Sequence, residues 1–320
     1  MKLIIQIPCF NEENTLPQTV ADLPRHIDGI DEIEYLVIND GSTDRTVETA
    51  QELGVHHIVT FRRNRGLAFA FMAGIDACLH LGADIIVNTD ADNQYYGADI
   101  VKLIRPILNE SADIVVGERP IGETKYFSPV KKKLQHTGSL VVRIVSETDI
   151  PDAPSGFRAF SREAALRLNV TNVYTYTLET IIQAGINRMA ITSVPIRTNE
   201  QTRKSRLFKS MWSYVKRSIT VIIRSYVMYR PLKVLGTLGI ITMLLGILLG
   251  IRFLIIFFTQ GSAGHVQSLL LASLLIMLGA QTFVSGLLAD IISANRKLLE
   301  DVQYRVRKME CRRSDNERRG

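Results

Sequence analysis

Cysteine is scarce in this 320-residue chain. Only Cys9, Cys78 and Cys311 occur, at spacings that suit neither a disulfide framework nor a zinc site. Buried or incidental thiols in a reducing compartment are the expectation. No Gly-x-Gly-x-x-Gly follows the first apolar run, which disfavours a dinucleotide oxidoreductase. That run, Leu3 to Pro8, has strand length and breaks at once into polar residues. It does not read as a secretory leader, so the N-terminal domain is expected in the cytosol. Acids are nearly missing between residues 197 and 233, where ten Lys and Arg face only Glu200. Lys and Arg are absent from the stretch Thr259 to His265. There is no internal repeat and no low-complexity segment.

Hydrophobic residues make up 46% of the chain, and the mean hydropathy is +0.11. That is apolar for a soluble enzyme and polar for a transporter, and the apolar excess lies after Pro231. The net charge of +6 points to nucleic acid, anionic lipid or phosphorylated substrates. The bases cluster beside the apolar segments and no recognition motif accompanies them, which disfavours nucleic acid.

Residues 1–230 alternate short apolar runs with amphipathic stretches. Leu3–Ile7, Tyr35–Ile38, His57–Thr60, Asp84–Asn88, Asp113–Val116 and Ile191–Ile196 read as strands, mostly apolar on both faces. Glu13–Leu23, Asp44–Leu53, Leu67–Leu81 and Ala98–Leu108 read as helices. The alternation predicts an α/β domain with a mainly parallel sheet, over residues 1–205. Ligands then belong at the carboxyl ends of the strands. Residues 206–231 follow as a basic amphipathic helix suited to a membrane interface. Two apolar segments, Leu232–Phe258 and Val266–Ile292, are each long enough to cross a ~30 Å hydrocarbon core. Both flanks are basic and the short link is not, so residues 232–292 are expected as a transmembrane hairpin with both ends cytosolic. Arg252 interrupts the first span and is expected to snorkel to the outer interface. Gly246-Ile-Leu-Leu-Gly250 matches a GxxxG pattern, and the glycine-containing spans leave packing between copies, a homo-oligomer, open. Residues 293–320 form a charged cytosolic tail.

The chemistry concentrates at three strand ends. Ile86-Val-Asn-Thr-Asp90-Ala-Asp92-Asn-Gln94 takes a buried strand directly into two carboxylates. Such a pair is costly unless something positive sits between them. A hard divalent cation bridging a diphosphate fits, with Gln94 as a neutral oxygen ligand. Ile7-Pro8-Cys9-Phe10-Asn11-Glu12-Glu13 and Val37-Ile38-Asn39-Asp40-Gly41-Ser42-Thr43-Asp44 end the first two strands. Singly they read as a helix start and a turn with a cap. Together, acidic strand ends on one sheet edge describe a nucleotide cleft.

These motifs, in this order and spacing, resemble family 2 glycosyltransferases of the GT-A fold. More narrowly, the chain resembles the polyprenyl-phosphate glycosyltransferases of the dolichol-phosphate mannose synthase type. Asp152-Ala-Pro-Ser155-Gly156-Phe157-Arg158 is similar to that branch's Asp-x-x-Ser-Gly-Phe-Arg signature. Glu179 stands in the place of a family acid. Pro195-Ile-Arg197 with Arg203-Lys204-Ser205-Arg206 resembles its basic acceptor loop. Asn39 stands where the family often has a first aspartate, and Arg203-Lys204-Ser205-Arg206 departs from the usual Gly-x-Ser-Lys.

The resemblance implies a hexosyltransferase using a nucleotide-diphosphate sugar, UDP- or GDP-linked, and a polyprenyl phosphate acceptor at the bilayer. Pro8, Phe10, Glu12, Asp40 and Asp90 would line the nucleotide pocket. Asp90, Asp92 and Gln94 would hold Mg²⁺ or Mn²⁺. Asp92, Asp152 and Arg119 are the candidate catalytic residues, with Asp152 orienting the acceptor or binding metal. Lys125, Lys131, Arg197, Arg203 and Lys204 are candidates for the acceptor phosphate. A single in-line displacement would invert the anomeric centre. Competing readings are a glycan or protein acceptor, and a non-catalytic membrane adaptor on a transferase fold. A processive synthase is disfavoured because no Gln-x-x-Arg-Trp surrounds Trp212, the only tryptophan.

Overall fold

The computed structural model describes residues 1–120, 129–170, 175–199, 219–220, 223–224, 226–260 and 266–319, with side chains left out for 129–137, 260 and 315–319. The chain forms two compact units, one of Met1–Ile222 with Asp301–Gly320, the other of Ile223–Glu300.

The first unit is built on a seven-stranded sheet. Its strands are β1 (Lys2–Cys9), β2 (Glu32–Asn39), β3 (His57–Thr60), β4 (Ile85–Asn88), β5 (Ile114–Glu118), β6 (Arg158–Ser161) and β7 (Ile191–Pro195). The order is β3-β2-β1-β4-β6-β5-β7. Neighbours β3, β2, β1 and β4 run parallel, as do β5 and β7. β6 is antiparallel to both β4 and β5. Every expected strand is present, and β6 is additional. The helices are α1 (Leu16–Ala21), α2 (Thr46–Glu52), α3 (Leu67–His80), α4 (Ile100–Leu108), α5 (Pro129–Ser146), α6 (Arg162–Arg167) and α7 (Thr177–Ile186). The four expected helices appear as α1 to α4, shortened at their ends.

Strand alternation splits the core. Leu3, Ile5 and Ile7 of β1 face one cluster, with Leu16 and Val20 of α1 and Leu103 and Ile104 of α4. Ile4 faces the other, with Phe71 and Ile75 of α3, Ala164 and Ala165 of α6 and Tyr176. β1 lies at the point where the strand order reverses, flanked by β2 and β4. In such sheets the crevice beyond the carboxyl ends of these strands is where a ligand binds.

The last helix, α9 (Val266–Arg319), runs on into the first unit. Cys311 is buried in the second core cluster. Tyr304 donates to Glu163 at 2.8 Å, Arg307 donates to the Leu168 carbonyl at 2.7 Å and pairs with Asp76 at 3.1 Å. The Ser314 hydroxyl donates to the His80 carbonyl at 3.2 Å. Residues 304–314 are therefore an integral layer of this unit.

The second unit contains a π-helical turn (Leu232–Gly236), α8 (Thr237–Gln260) and the first part of α9. Both long helices are long and apolar enough to cross a membrane. They meet along small residues. Ala272, Gly279, Gly286 and Ser293 are all buried, at seven-residue steps. A Cβ on Gly279 would lie 2.6 Å from the Met243 nitrogen and 2.7 Å from the Gly239 carbonyl oxygen. One on Gly246 would lie 2.9 Å from the Ala272 carbonyl oxygen. Gly246 thus serves the contact within the hairpin.

Candidate active site

β4 is buried throughout and hands the chain to Thr89 and Asp90 at the cleft. Ala91 turns into the core, so Asp90 and Asp92 emerge half-buried on either side of it. The loop is anchored from below. Thr19 donates to the Ala91 carbonyl at 3.0 Å, and Asn93 donates to Asp22 at 2.9 Å. Asn93 adopts φ 53°, a left-handed conformation that asparagine tolerates. The turn returns the Gln94 N–H to Asp92 Oδ1 at 3.2 Å.

Burial pushes the Asp90 carboxyl up to about 7, and the neighbouring charges of Asp92 and Glu12 push the same way. Arg119 and a hydrogen bond from Tyr95 oppose them without winning. The protein's own groups leave this pair of carboxylates short of positive charge, so the donor set fits a divalent cation. Among the described residues no three His, Cys, Asp or Glu cluster to form a closed metal cage. Asp90, Asp92 and the Gln94 amide would leave positions open for phosphate oxygens and water, the manner in which magnesium binds.

The loops that follow β1 and β2 are interlocked. Asn11, at φ 56°, donates its N–H to Ser42 at 2.9 Å and accepts the Thr43 N–H at 2.8 Å. The Glu12 N–H donates to the Thr46 hydroxyl at 2.8 Å, and Asp44 accepts the Glu13 N–H at 3.2 Å. Asn39 closes its own turn by accepting the Ser42 N–H at 2.9 Å. Asp40 is buried and takes the N–H groups of Arg65 and Gly66 at 2.7 and 2.8 Å, one on each oxygen. Each oxygen keeps a further lone pair for a ligand donor. Pro8 is buried and offers only backbone, whereas Phe10 stands exposed beside it.

Asp152 is buried and grips Arg119 with both oxygens, Oδ2 to Nε at 2.7 Å and Oδ1 to Nη2 at 2.9 Å. Burial alone would lower the Arg119 pKa, but Asp152, Tyr95 and Asp90 together raise it, keeping the guanidinium charged. Asp152 is therefore the orienting partner of Arg119. Arg158 holds the intervening loop. It is fully buried, and burial lowers its pKa to about 10. It donates to the carbonyls of Ser155, Thr177 and Ala153 at 2.8, 2.8 and 2.7 Å, and to the Thr180 hydroxyl at 2.5 Å.

That loop reaches the carboxylates through Gly156. A Cβ there would lie 3.1 Å from each Asp90 oxygen and 3.0 Å from the Tyr176 hydroxyl. Tyr95 joins the two motifs. Its hydroxyl accepts the Gly156 N–H at 3.0 Å and donates to Asp90, and its ring stacks on Phe157 at 4.9 Å. Asn88 donates to the Gly156 carbonyl and the Tyr176 hydroxyl at 2.9 and 2.8 Å.

The segment Gln94–Tyr96 pairs with residues 197–199. The Tyr96 N–H donates to the Arg197 carbonyl at 3.3 Å, and the Asn199 N–H to the Gln94 carbonyl at 2.9 Å. The Arg197 guanidinium is clamped by buried Asp99 at 2.7 Å and lies over the Tyr96 ring at 4.0 Å. The structure thus brings together Glu12, Asp40, Asp90, Asp92, Gln94, Arg119 and Asp152, and places Arg197 at the edge. Lys125, Arg203 and Lys204 lie outside the described residues, as does the Lys131 side chain on α5. Sequence reasoning missed Asn88, Tyr95, Tyr176 and the Arg65-Gly66 turn. Only the last left a signal, a glycine beside three arginines after a strand that ends on the same sheet edge.

A mainly parallel sheet with acidic strand ends around a reversal of strand order has its ligand crevice at those ends. The model of glycosyl transferase family 2 matches residues 4–168, and the chain belongs to that family. A UDP-N-acetylglucosamine–dolichyl-phosphate N-acetylglucosaminyltransferase of Methanococcus voltae is 33% identical, over 60% of this chain and 83% of its own length. A polyprenol monophosphomannose synthase of Mycolicibacterium smegmatis is 26% identical, over 62% of this chain and 78% of its own. Among solved structures, glucosyl-3-phosphoglycerate synthase from Mycobacterium tuberculosis, in complex with Mn²⁺, UDP-glucose and phosphoglyceric acid, superposes with a TM-score of 0.57. It is 20% identical and covers 70% of this chain and 79% of that one. This likeness shows the GT-A-like fold.

Proposed function

We propose that this glycosyltransferase moves a hexose from a UDP- or GDP-linked sugar to a polyprenyl phosphate at the cytosolic face of a membrane. The observation that carries the reading is the joining of the Asp90/Asp92/Gln94 set to the Arg119–Asp152 pair through Tyr95 and Gly156. The first can hold a donor diphosphate and the second presents a buried, permanently charged guanidinium to an anion. Relatives named for dolichyl-phosphate and polyprenol transfer support the acceptor class.

Asp40 and Glu12 would hold the nucleoside, with the loop at Pro8 and Phe10. Asp90, Asp92 and Gln94 would bind Mg²⁺ or Mn²⁺, which would supply charge neutralisation for the departing nucleoside diphosphate. The acceptor's phosphate oxygen is already anionic at pH 7, so no strong general base is needed. Arg119, positioned by Asp152, would orient that phosphate bidentately. The phosphate oxygen attacks the anomeric carbon as the bond to the nucleoside diphosphate breaks, with inversion. The two apolar helices would keep the domain at the bilayer, where the acceptor's headgroup sits; residues 206–218, most of the expected interfacial helix, lie outside the described residues.

The test is transfer by purified protein in detergent with Mg²⁺ or Mn²⁺, a polyprenyl phosphate, and labelled UDP- and GDP-sugars singly. Label entering the organic phase with one donor, and lost in Asp92→Asn, is the expected result. Metal-dependent nucleotide binding without a lipid product would move the acceptor to a glycan or protein.

A further inference from the structure

We propose that a second copy of this chain packs along one face of α9, with Gln281 of each copy bonded to the other. The proposal rests on reading α8 and α9 as membrane spans. From Leu270 to Leu298 the helix carries an unbroken seven-residue pattern. Leu270, Met277, Val284, Ile291 and Leu298 recur at seven-residue steps, and Leu274, Gln281, Leu288 and Asn295 recur between them. Alternating steps of four and three of this kind make the seam of a two-stranded coiled coil. All of these side chains are exposed, Met277 at 76%. The opposite face is occupied, because Ala272, Gly279, Gly286 and Ser293 are the buried contact of the hairpin.

Apolar exposure alone is what lipid contact requires, and Leu271, Leu278 and Ile292 off the seam show it too. Gln281 is what lipid does not explain. It lies near the middle of the apolar segment, and its amide is exposed on the seam. The nearby hydroxyls of Ser273, Thr282 and Ser285 each bond a carbonyl one turn back. The Gln281 side chain makes no such bond among the described residues. In hydrocarbon an unpaired amide is costly, so a partner from outside the chain is favoured. A carboxamide both donates and accepts, and therefore bonds its own copy across a two-fold axis. Copies inserted in one orientation give parallel helices, so Gln281 meets Gln281 and Asn295 meets Asn295. A polar residue at one seam position fixes register in such pairs.

The experiment uses full-length protein in native-like vesicles, first washed at high pH. Single cysteines are placed at Met277 and Val284 on the seam and at Leu248, an exposed residue of α8. The three native cysteines are buried and serve as background. Oxidation should cross-link Met277→Cys and Val284→Cys into dimers and leave Leu248→Cys monomeric. Gln281→Leu should weaken association roughly tenfold, read as a mass distribution in lipid nanodiscs. Equal cross-linking at Leu248, or none at either seam position, overturns the proposal. So does a monomeric wild-type chain. A chain that washes off the vesicles overturns the membrane reading and this proposal with it, whereas retention without cross-links overturns the proposal alone.

Discussion

At the scale of single residues, the site depends on a few groups whose neighbours prescribe their state. Asp92 faces the cleft beside a carboxyl that its charge helps push up. Asp92→Asn should leave the fold intact and lower metal affinity and turnover together, on the order of 10²-fold, measured by Mn²⁺ binding and sugar transfer. Tyr95 is a positioning residue, tied to Asp90 and to the Gly156 N–H. Tyr95→Phe removes both bonds and keeps the ring stacked on Phe157, so it should raise the half-saturating metal concentration severalfold. Its cost in stability should be about 1–3 kcal/mol. Unchanged Mn²⁺ binding in this variant would contradict the role. Gly156→Ala sets a methyl against both Asp90 oxygens. It should reduce turnover by about 10² with a melting temperature close to wild type, since a misplacement below 1 Å suffices for such losses.

At the scale of elements, the sequence showed most of what frames the cleft. Runs such as Leu3–Ile7 and Tyr35–Ile38 are mostly apolar on both faces because helices cover both, and the carboxylates stand where those runs stop. β6 was not legible. Its four residues, Arg-Ala-Phe-Ser, begin with an arginine that usually marks a surface, and here it is the largest fully buried side chain among the described residues. Its burial is compensated by carbonyls of Ala153, Ser155 and Thr177, which are far from obvious in a linear reading. Arg158→Met should leave those acceptors unpaired and cost about 3 kcal/mol or more, seen as a large fall in melting temperature. The Asp99–Arg197 clamp was equally hidden, since its partners are 98 positions apart. Burial would raise the Asp99 pKa, but the bonds from Arg197 and Lys102 lower it below the ordinary value. A depressed carboxylate contributes stability that is full above its unfolded value, about 3.9, and is lost as pH falls through its folded value. Acid denaturation of Asp99→Asn should therefore show a shallower loss of stability below pH 4 than wild type.

At the scale of the whole molecule, composition alone reads as an α/β domain followed by a membrane-length hairpin from about Pro231. It did not show that the end of the chain returns to the first unit. The charge of residues 293–320 reads as a cytosolic tail, yet Tyr304, Arg307 and Cys311 find Glu163, Asp76 and the core. That contact is legible only once α3 and α6 are side by side. The spans' glycines were visible, but not which surface they served, because glycine permits close approach to any helix. In the structure they join α8 to α9.

The central claim is that the acceptor is a lipid carrying a phosphate. The most direct measurement compares a polyprenyl phosphate with the matching polyprenol, at equal concentration, with the donor the protein accepts and Mg²⁺ or Mn²⁺ present. The account predicts sugar transfer to the phosphate alone, since the phosphate oxygen is the nucleophile and Arg119 needs an anion to hold. Equal transfer to the alcohol, or transfer to neither while a glycan or protein acceptor is labelled, would contradict it.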